Sequence, residues 1–92
     1  MLDINNLNYV IGTKQTKRAL KNNEVIRIII ATDVEDKIVS TIVSSCNESS
    51  QDIQIERNYT MEELGKHCGI DVGAAMVAIL KSRQGGEIDA NN

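Results

Sequence analysis

The sequence predicts an α/β domain in which a mixed sheet carries helices on both of its faces. Strand-like and helix-like runs alternate along the chain, as they do when helices pack on a sheet. The longest apolar run, Val25 to Ala31, is β-branched and nearly unbroken, which is how a strand buried on both faces reads. Helix boundaries are written between the strands, most plainly by Thr60 with Glu63, a capping box. At 92 residues there is room for one core only.

In chain order, residues 2–8 read as a short helix carrying Leu2, Ile4 and Leu7, and Tyr9 to Ile11 as a short strand stopped by Gly12. Thr13 is placed to cap a helix that runs to about Asn22 and ends at the Asn22-Asn23 pair. Val25 to Ala31 is the central strand. Thr32-Asp33 leaves it and opens a second helix, on which Val34, Ile38, Ile42 and Val43 recur at helical spacing to about Asn47. Glu48 to Gln51 is a polar loop.

Between Asp52 and Arg57, Ile53 and Ile55 alternate with polar residues, giving a third strand with one wetter face. The helix opened by Thr60 carries Met61, Leu64 and His67 and is closed by Gly69. Ala74 to Leu80 is an apolar run suited to a fourth, central strand. The domain is therefore expected over residues 1–81. Residues 82–92, SRQGGEIDANN after Lys81, lack periodicity and read as a disordered tail.

Composition excludes several classes of function. Aromatic residues make up 2% of the chain, Tyr9 and Tyr59, too few for the stacking platforms on which single-strand readers depend. The core must come from Ile, Val, Leu, Ala and Met. The polar start MLDINNLN does not read as a signal peptide, and no apolar run approaches the roughly 20 residues of a membrane span. Cys46 and Cys68 lack zinc-ligand spacing and read as reduced thiols, which points to a cytoplasmic protein.

No active site is legible. His67 is the only histidine, and Cys68 beside it would point about 100° away on a helix. Glu62 and Glu63 fit an acidic first helical turn. No phosphate-loop pattern and no metal cluster are present, so neither enzyme chemistry nor a cofactor is expected. Gly65, Gly69 and Gly73 are spaced by four, but Lys66, His67 and Asp71 interrupt any membrane seam. Gly69 as a helix cap and Gly73 as a point of close backbone approach explain two of them locally.

Net charge is −3, which counts against a nucleic-acid partner, yet the charge is unevenly spread. Residues 1–27 carry five Lys/Arg against two acids, and residues 28–92 carry five against eleven. A focused basic patch can still hold phosphate, because charges beyond about 8 Å are screened at physiological salt.

That patch lies in Gly12-Thr13-Lys14-Gln15-Thr16-Lys17-Arg18-Ala19-Leu20-Lys21. Its cations at 14, 17, 18 and 21 share one helical stripe. The preceding glycine would let another backbone approach the helix N-terminus, where free N–H groups favour phosphate. Lys14, Gln15 and Arg18 offer donors that match base edges, guanine O6 and N7 among them. From charge alone a solvated helix face is the more economical description. The order of glycine, cap and basic first turn narrows that margin without reversing it.

Gly12 to Arg18 resembles the RNA-reading segment of the L-seven-Ae family of ribosomal and kink-turn-binding proteins. Leu64 to Ile79 (LGKHCGIDVGAAMVAI) resembles that family's second and more specific signature. The likeness spans roughly residues 3–80 and is nearest to the bacterial short-chain branch. It implies a three-layer α/β/α sandwich with a four-stranded sheet and a structured RNA partner, a kink-turn, with the ribosome as a possible setting. It implies that the helix after Gly12 enters the major groove at tandem sheared G·A pairs, with Gly12, Lys14, Gln15 and Arg18 at the matching positions; Thr13 and Lys17 beside them complete the RNA-binding residues expected on this helix. Ile70, Asp71 and Val72 would pack on bases at the bulge, with Asp33 and Glu35 beside a flipped-out nucleotide. Many members carry Asn-Glu where Lys14-Gln15 stand here, and a proline where Asp36 stands.

Taken together, a monomeric binding module that stabilises a kinked RNA is expected, with no membrane association. A protein-interaction adaptor of the same fold is the alternative, motivated by the acidic body and the apolar Ile70–Val72 loop. A nuclease-resistant pull-down without a gel shift would favour the adaptor.

Overall fold

The computed structural model describes residues 8–49 and 52–81. The helix expected over residues 2–8 and the tail expected over 82–92 fall almost wholly or wholly outside these residues. In order, the elements are β1 (Tyr9–Ile11), α1 (Thr13–Lys21), β2 (Val25–Ile30), α2 (Asp36–Glu48), β3 (Gln54–Glu56), α3 (Met61–Cys68) and β4 (Met76–Leu80). The strands form one four-stranded sheet in the order β1-β4-β2-β3. β4 is antiparallel to both β1 and β2, while β2 and β3 are parallel. The sheet is mixed, as the alternation of elements predicts.

The core is aliphatic because the sequence has little else to bury. Met76, Val77, Ala78 and Ile79 are all buried, so β4 is covered on both faces. Ile28, Ile29 and Ile30 on β2 are fully buried too, and each such side chain contributes about 1.5–3 kcal/mol. α1 turns Thr16, Ala19 and Leu20 inward and packs on β4 while also touching α2. α2 contributes Ile42 and Cys46, and α3 contributes Leu64. This is the α/β arrangement expected, with apolar helix stripes closing over a two-sided sheet.

Three details differ from the sequence expectation. β2 is two-sided only from Ile28 onward: Ile26 is 45% exposed, and Arg27 pairs with Glu56 of neighbouring β3 at 3.4 Å. Near its start the strand lies where the sheet is open to solvent. Thr13 is the first residue of α1 and not its cap; Gly12 holds the cap position, with no side-chain cap bond. Finally, α2 begins at Asp36, with Glu35 at its N-cap, leaving Asp33 and Val34 in the preceding turn. Asp33 does not open α2 because its carboxylate is engaged elsewhere, at the start of α3.

The register has one consequence for function. Ile11 pairs with Val77, Ile30 with Met76 and Ile29 with Glu56. The C-terminal ends of β1, β2 and β3 therefore meet the N-terminal end of β4 along a single edge of the sheet.

Candidate functional site

This edge gathers the segments that the sequence singled out. β1 ends at Gly12, whose backbone N–H donates to the Met76 carbonyl at 2.9 Å. Beside it, Ala31 N–H donates to the Ala75 carbonyl at 2.8 Å, and Thr32 N–H to the Tyr59 carbonyl at 2.8 Å. The start of α1, the approach to β4 and the exits of β2 and β3 are thus joined by backbone hydrogen bonds.

Gly12 has φ 106° and ψ 159°, a conformation that an L side chain adopts only at a cost of about 1–3 kcal/mol. That geometry turns the chain directly from strand into helix, and the Gly12 carbonyl accepts from Thr16 N–H at 3.0 Å. The first turn of α1 holds no acidic residue and no side-chain cap. Its N–H groups and the positive end of the helix dipole are left for an external acceptor.

Lys14, Gln15, Lys17, Arg18 and Lys21 are all exposed, and Thr16, Ala19 and Leu20 occupy the opposite, buried face. The cations do form one solvent-facing stripe. Arg18 and Lys21 also stand in the last turn, where positive charge is favourable whatever the ligand. Thr16 Oγ1 is buried without a hydrogen-bond partner among the described residues.

The second segment is built on α3. The capping box is complete: Thr60 Oγ1 accepts from Glu63 N–H at 3.1 Å, and Thr60 N–H donates to Glu63 Oε1 at 2.9 Å. Met61 N–H donates to Asp33 Oδ1 at 2.9 Å. At the other end Gly69 takes the left-handed cap conformation, φ 75°, and Ile70 N–H returns to the Gly65 carbonyl at 3.1 Å. The chain then runs back over α3 until Ala74 N–H reaches the Met61 carbonyl at 3.0 Å.

Gly65 makes this return possible. A Cβ there would overlap the Val72 carbonyl oxygen, so only a residue without a side chain lets the loop lie on the helix. Gly73 packs similarly on Met61, with 3.2 Å from an added Cβ to Met61 Cβ. The sequence reading assigned close approach to Gly73 and left Gly65 unexplained; the spacing of four was its only signal.

The loop's residues divide their work. Ile70 is half-buried and packs on the core, whereas Val72 is 70% exposed. The sequence treated both as one apolar tip; the structure makes Ile70 the anchor and Val72 the projecting group. Asp71 is exposed beside them. An open groove lies alongside, lined by Asp33, Met61, Glu62, Lys66, Asp71 and Val72 among others. Glu35 is exposed next to the start of α2.

Arg57 was not anticipated. Its Nη2 donates to both the Ala31 and the Thr32 carbonyls, each at 3.2 Å, fixing a guanidinium at the end of β2. Only the fold brings these residues together, 26 and 25 positions apart.

Nothing here resembles a catalytic constellation. His67 is half-buried and packs on Tyr59, ring centroids 4.7 Å apart. Both thiols are free, and burial pushes each above the ordinary thiol range. No group of His, Cys, Asp and Glu suited to a metal occurs among the described residues. No helix among them is long and apolar enough to cross a membrane.

Comparison with known proteins agrees with the fold. Residues 4–87 match the model of the ribosomal protein L7Ae/L30e/S12e/Gadd45 family. Over 72 residues the chain is 47% identical to an RNA-binding protein of Halalkalibacterium halodurans, covering 78% of this chain and 85% of that one. It is 44% identical to the RNA-binding protein YbxF of Geobacillus stearothermophilus, with the same coverage. Among solved structures, a Giardia lamblia 15.5kD RNA binding protein superposes with a TM-score of 0.72 at 19% identity, covering 89% of this chain and 68% of that one. This last likeness speaks for the fold alone.

Proposed function

Because the chain belongs to the ribosomal protein L7Ae/L30e/S12e/Gadd45 family, we propose that it binds structured RNA, and specifically a kink-turn, through the sheet edge that carries Gly12 and Val72. The observation that carries this reading is the hydrogen bond from Gly12 N–H to the Met76 carbonyl. It supports a shared surface for the first turn of α1 and the loop before β4.

The roles follow from chemistry. Gly12, with no side chain, lets an RNA backbone approach the unoccupied N–H groups of α1, and Thr13 keeps that turn polar. Lys14, Gln15 and Arg18 donate to base edges at the sheared G·A pairs, each good contact adding about 1–3 kcal/mol. Lys17 neutralises phosphate. Val72 covers an unstacked base at the bulge, held at its height by Ile70 beneath. Asp71, Asp33 and Glu35 border the nucleotide that leaves the stack.

The activity is binding, with no catalytic step and no cofactor. An RNA that samples straight and kinked forms is drawn to the kinked one, because only that form presents a groove and unstacked bases together. One edge serves one RNA, so a single copy of the chain suffices. Cytoplasmic structured RNA, ribosomal or otherwise, is the target.

The test compares an RNA with intact tandem G·A pairs against a plain duplex of equal length. Lys14→Ala and Arg18→Ala should weaken binding to the first far more than to the second. Equal losses on both would reduce α1 to a phosphate grip. No gel shift at all, with a nuclease-resistant protein partner, would favour the adaptor.

A further inference from the structure

We propose that Arg57 is a second RNA-backbone contact, its guanidinium held at the end of β2, two strands away from the start of α1 on the same edge; this rests on the RNA-binding reading above. Strand order is the starting point. α1 leaves from β1, and Arg57 follows β3, the two outer strands of the sheet. The Arg57 side chain reaches back from β3 to the carbonyls that end β2, and two strand spacings of about 4.8 Å separate the ends of β1 and β2 by roughly 10 Å. The edge therefore carries a second cation set apart from α1.

The carboxylates beside the end of β2 repel phosphate. The start of α3 is closed by carboxylates: Asp33 on Met61 N–H and Glu63 on Thr60 N–H, with Glu62 beside them. Lys66, on the same helix, is paired with Glu62 at 3.5 Å. A sugar-phosphate backbone cannot favourably cross these carboxylates, whereas an uncharged base against Val72 can. Phosphates are thereby directed to α1 and to the Arg57 guanidinium, and a bent RNA has two arms to place on them.

Arg57 is suited to this role because it is already ordered. Its Nη2 is held by the Ala31 and Thr32 carbonyls, so little rotamer freedom remains to be lost on binding. Nε and Nη1 have no protein partner among the described residues, and the residue is exposed. A lysine there would be a mobile point charge; the pinned guanidinium is a fixed one.

The experiment measures affinity for a kink-turn RNA across a series of salt concentrations, for the full chain and its Arg57→Gln variant. Loss of one phosphate contact should lower the slope of log K against log salt by roughly one, with affinity falling on the order of ten-fold near physiological salt. Arg57→Lys should keep the slope. A merely structural role, holding the two carbonyls, could weaken binding but would leave the slope unchanged for Arg57→Gln, and that result overturns the proposal. If Arg57→Gln does not fold, the wild-type chain still decides: the Arg57 side-chain N–H signals should shift in NMR spectra on adding the RNA, and unmoved signals overturn it. A wild-type chain that fails to prefer the kink-turn over a duplex would sink the kink-turn reading and this contact with it, whereas an unchanged slope for Arg57→Gln on a kink-turn that the wild type does prefer sinks the Arg57 contact alone.

Discussion

Asp33 Oδ1 accepts the backbone N–H of Met61 at 2.9 Å, so a carboxylate leaving β2 caps a helix that starts 28 residues further along the chain. The bond ties the exit of the central strand to α3 and hence to the loop that α3 supports. Asp33 was singled out by family resemblance as a neighbour of the bound nucleotide. In the folded chain its observed duty is structural.

Asp33→Ala should therefore lower stability even without RNA. Losing a cap of this kind costs about 1 kcal/mol, which for a domain of this size lowers the melting temperature by about 4–8 °C. Thermal unfolding followed by circular dichroism measures it. An unchanged melting temperature would mean that the Asp33–Met61 bond adds nothing to stability.

Gly65→Ala offers a sharper contrast. In an ordinary helix interior the exchange stabilises by about 1 kcal/mol. Here the new Cβ overlaps the Val72 carbonyl, so the loop must lift from α3, and Gly65→Ala should destabilise by more than about 1 kcal/mol. Urea unfolding reads the sign directly. A gain in stability would mean that the loop yields freely.

These two positions mark where sequence reading stops. The strand Val25–Ile30, the Thr60–Glu63 capping box and the Gly69 cap were legible because their causes are local: β-branching, a three-residue spacing and a left-handed turn. The start of α2 was misplaced at Thr32-Asp33 because the partner of Asp33 lies beyond any local window. Gly65 and Arg57 were missed for the same reason, their contacts being made by loops and strand ends that only the fold assembles. Of the candidate site, the exposed stripe of α1 was readable from spacing; the split between anchoring Ile70 and projecting Val72 was not, since both are simply apolar in sequence.

The thiols give a prediction of opposite kind, an absence of reactivity. Burial raises both Cys46 and Cys68 above the ordinary thiol range, so the folded chain holds neutral thiols where an unfolded chain begins to ionise. Their contribution to stability is complete below the ordinary thiol pKa and is lost as pH rises through the raised folded value. Alkylation by iodoacetamide at mildly alkaline pH should be slower in the native chain than in urea. Equal rates would contradict the burial of both groups.

The most direct test of the whole account uses an RNA with tandem G·A pairs and a bulge, labelled at its two ends, and reads energy transfer as wild-type protein is added. One binding edge that accepts only the bent RNA predicts a saturable rise in transfer, diminished in Val72→Asp and in Arg18→Ala. Protein that visibly binds this RNA in a mobility shift while its ends stay apart would contradict it.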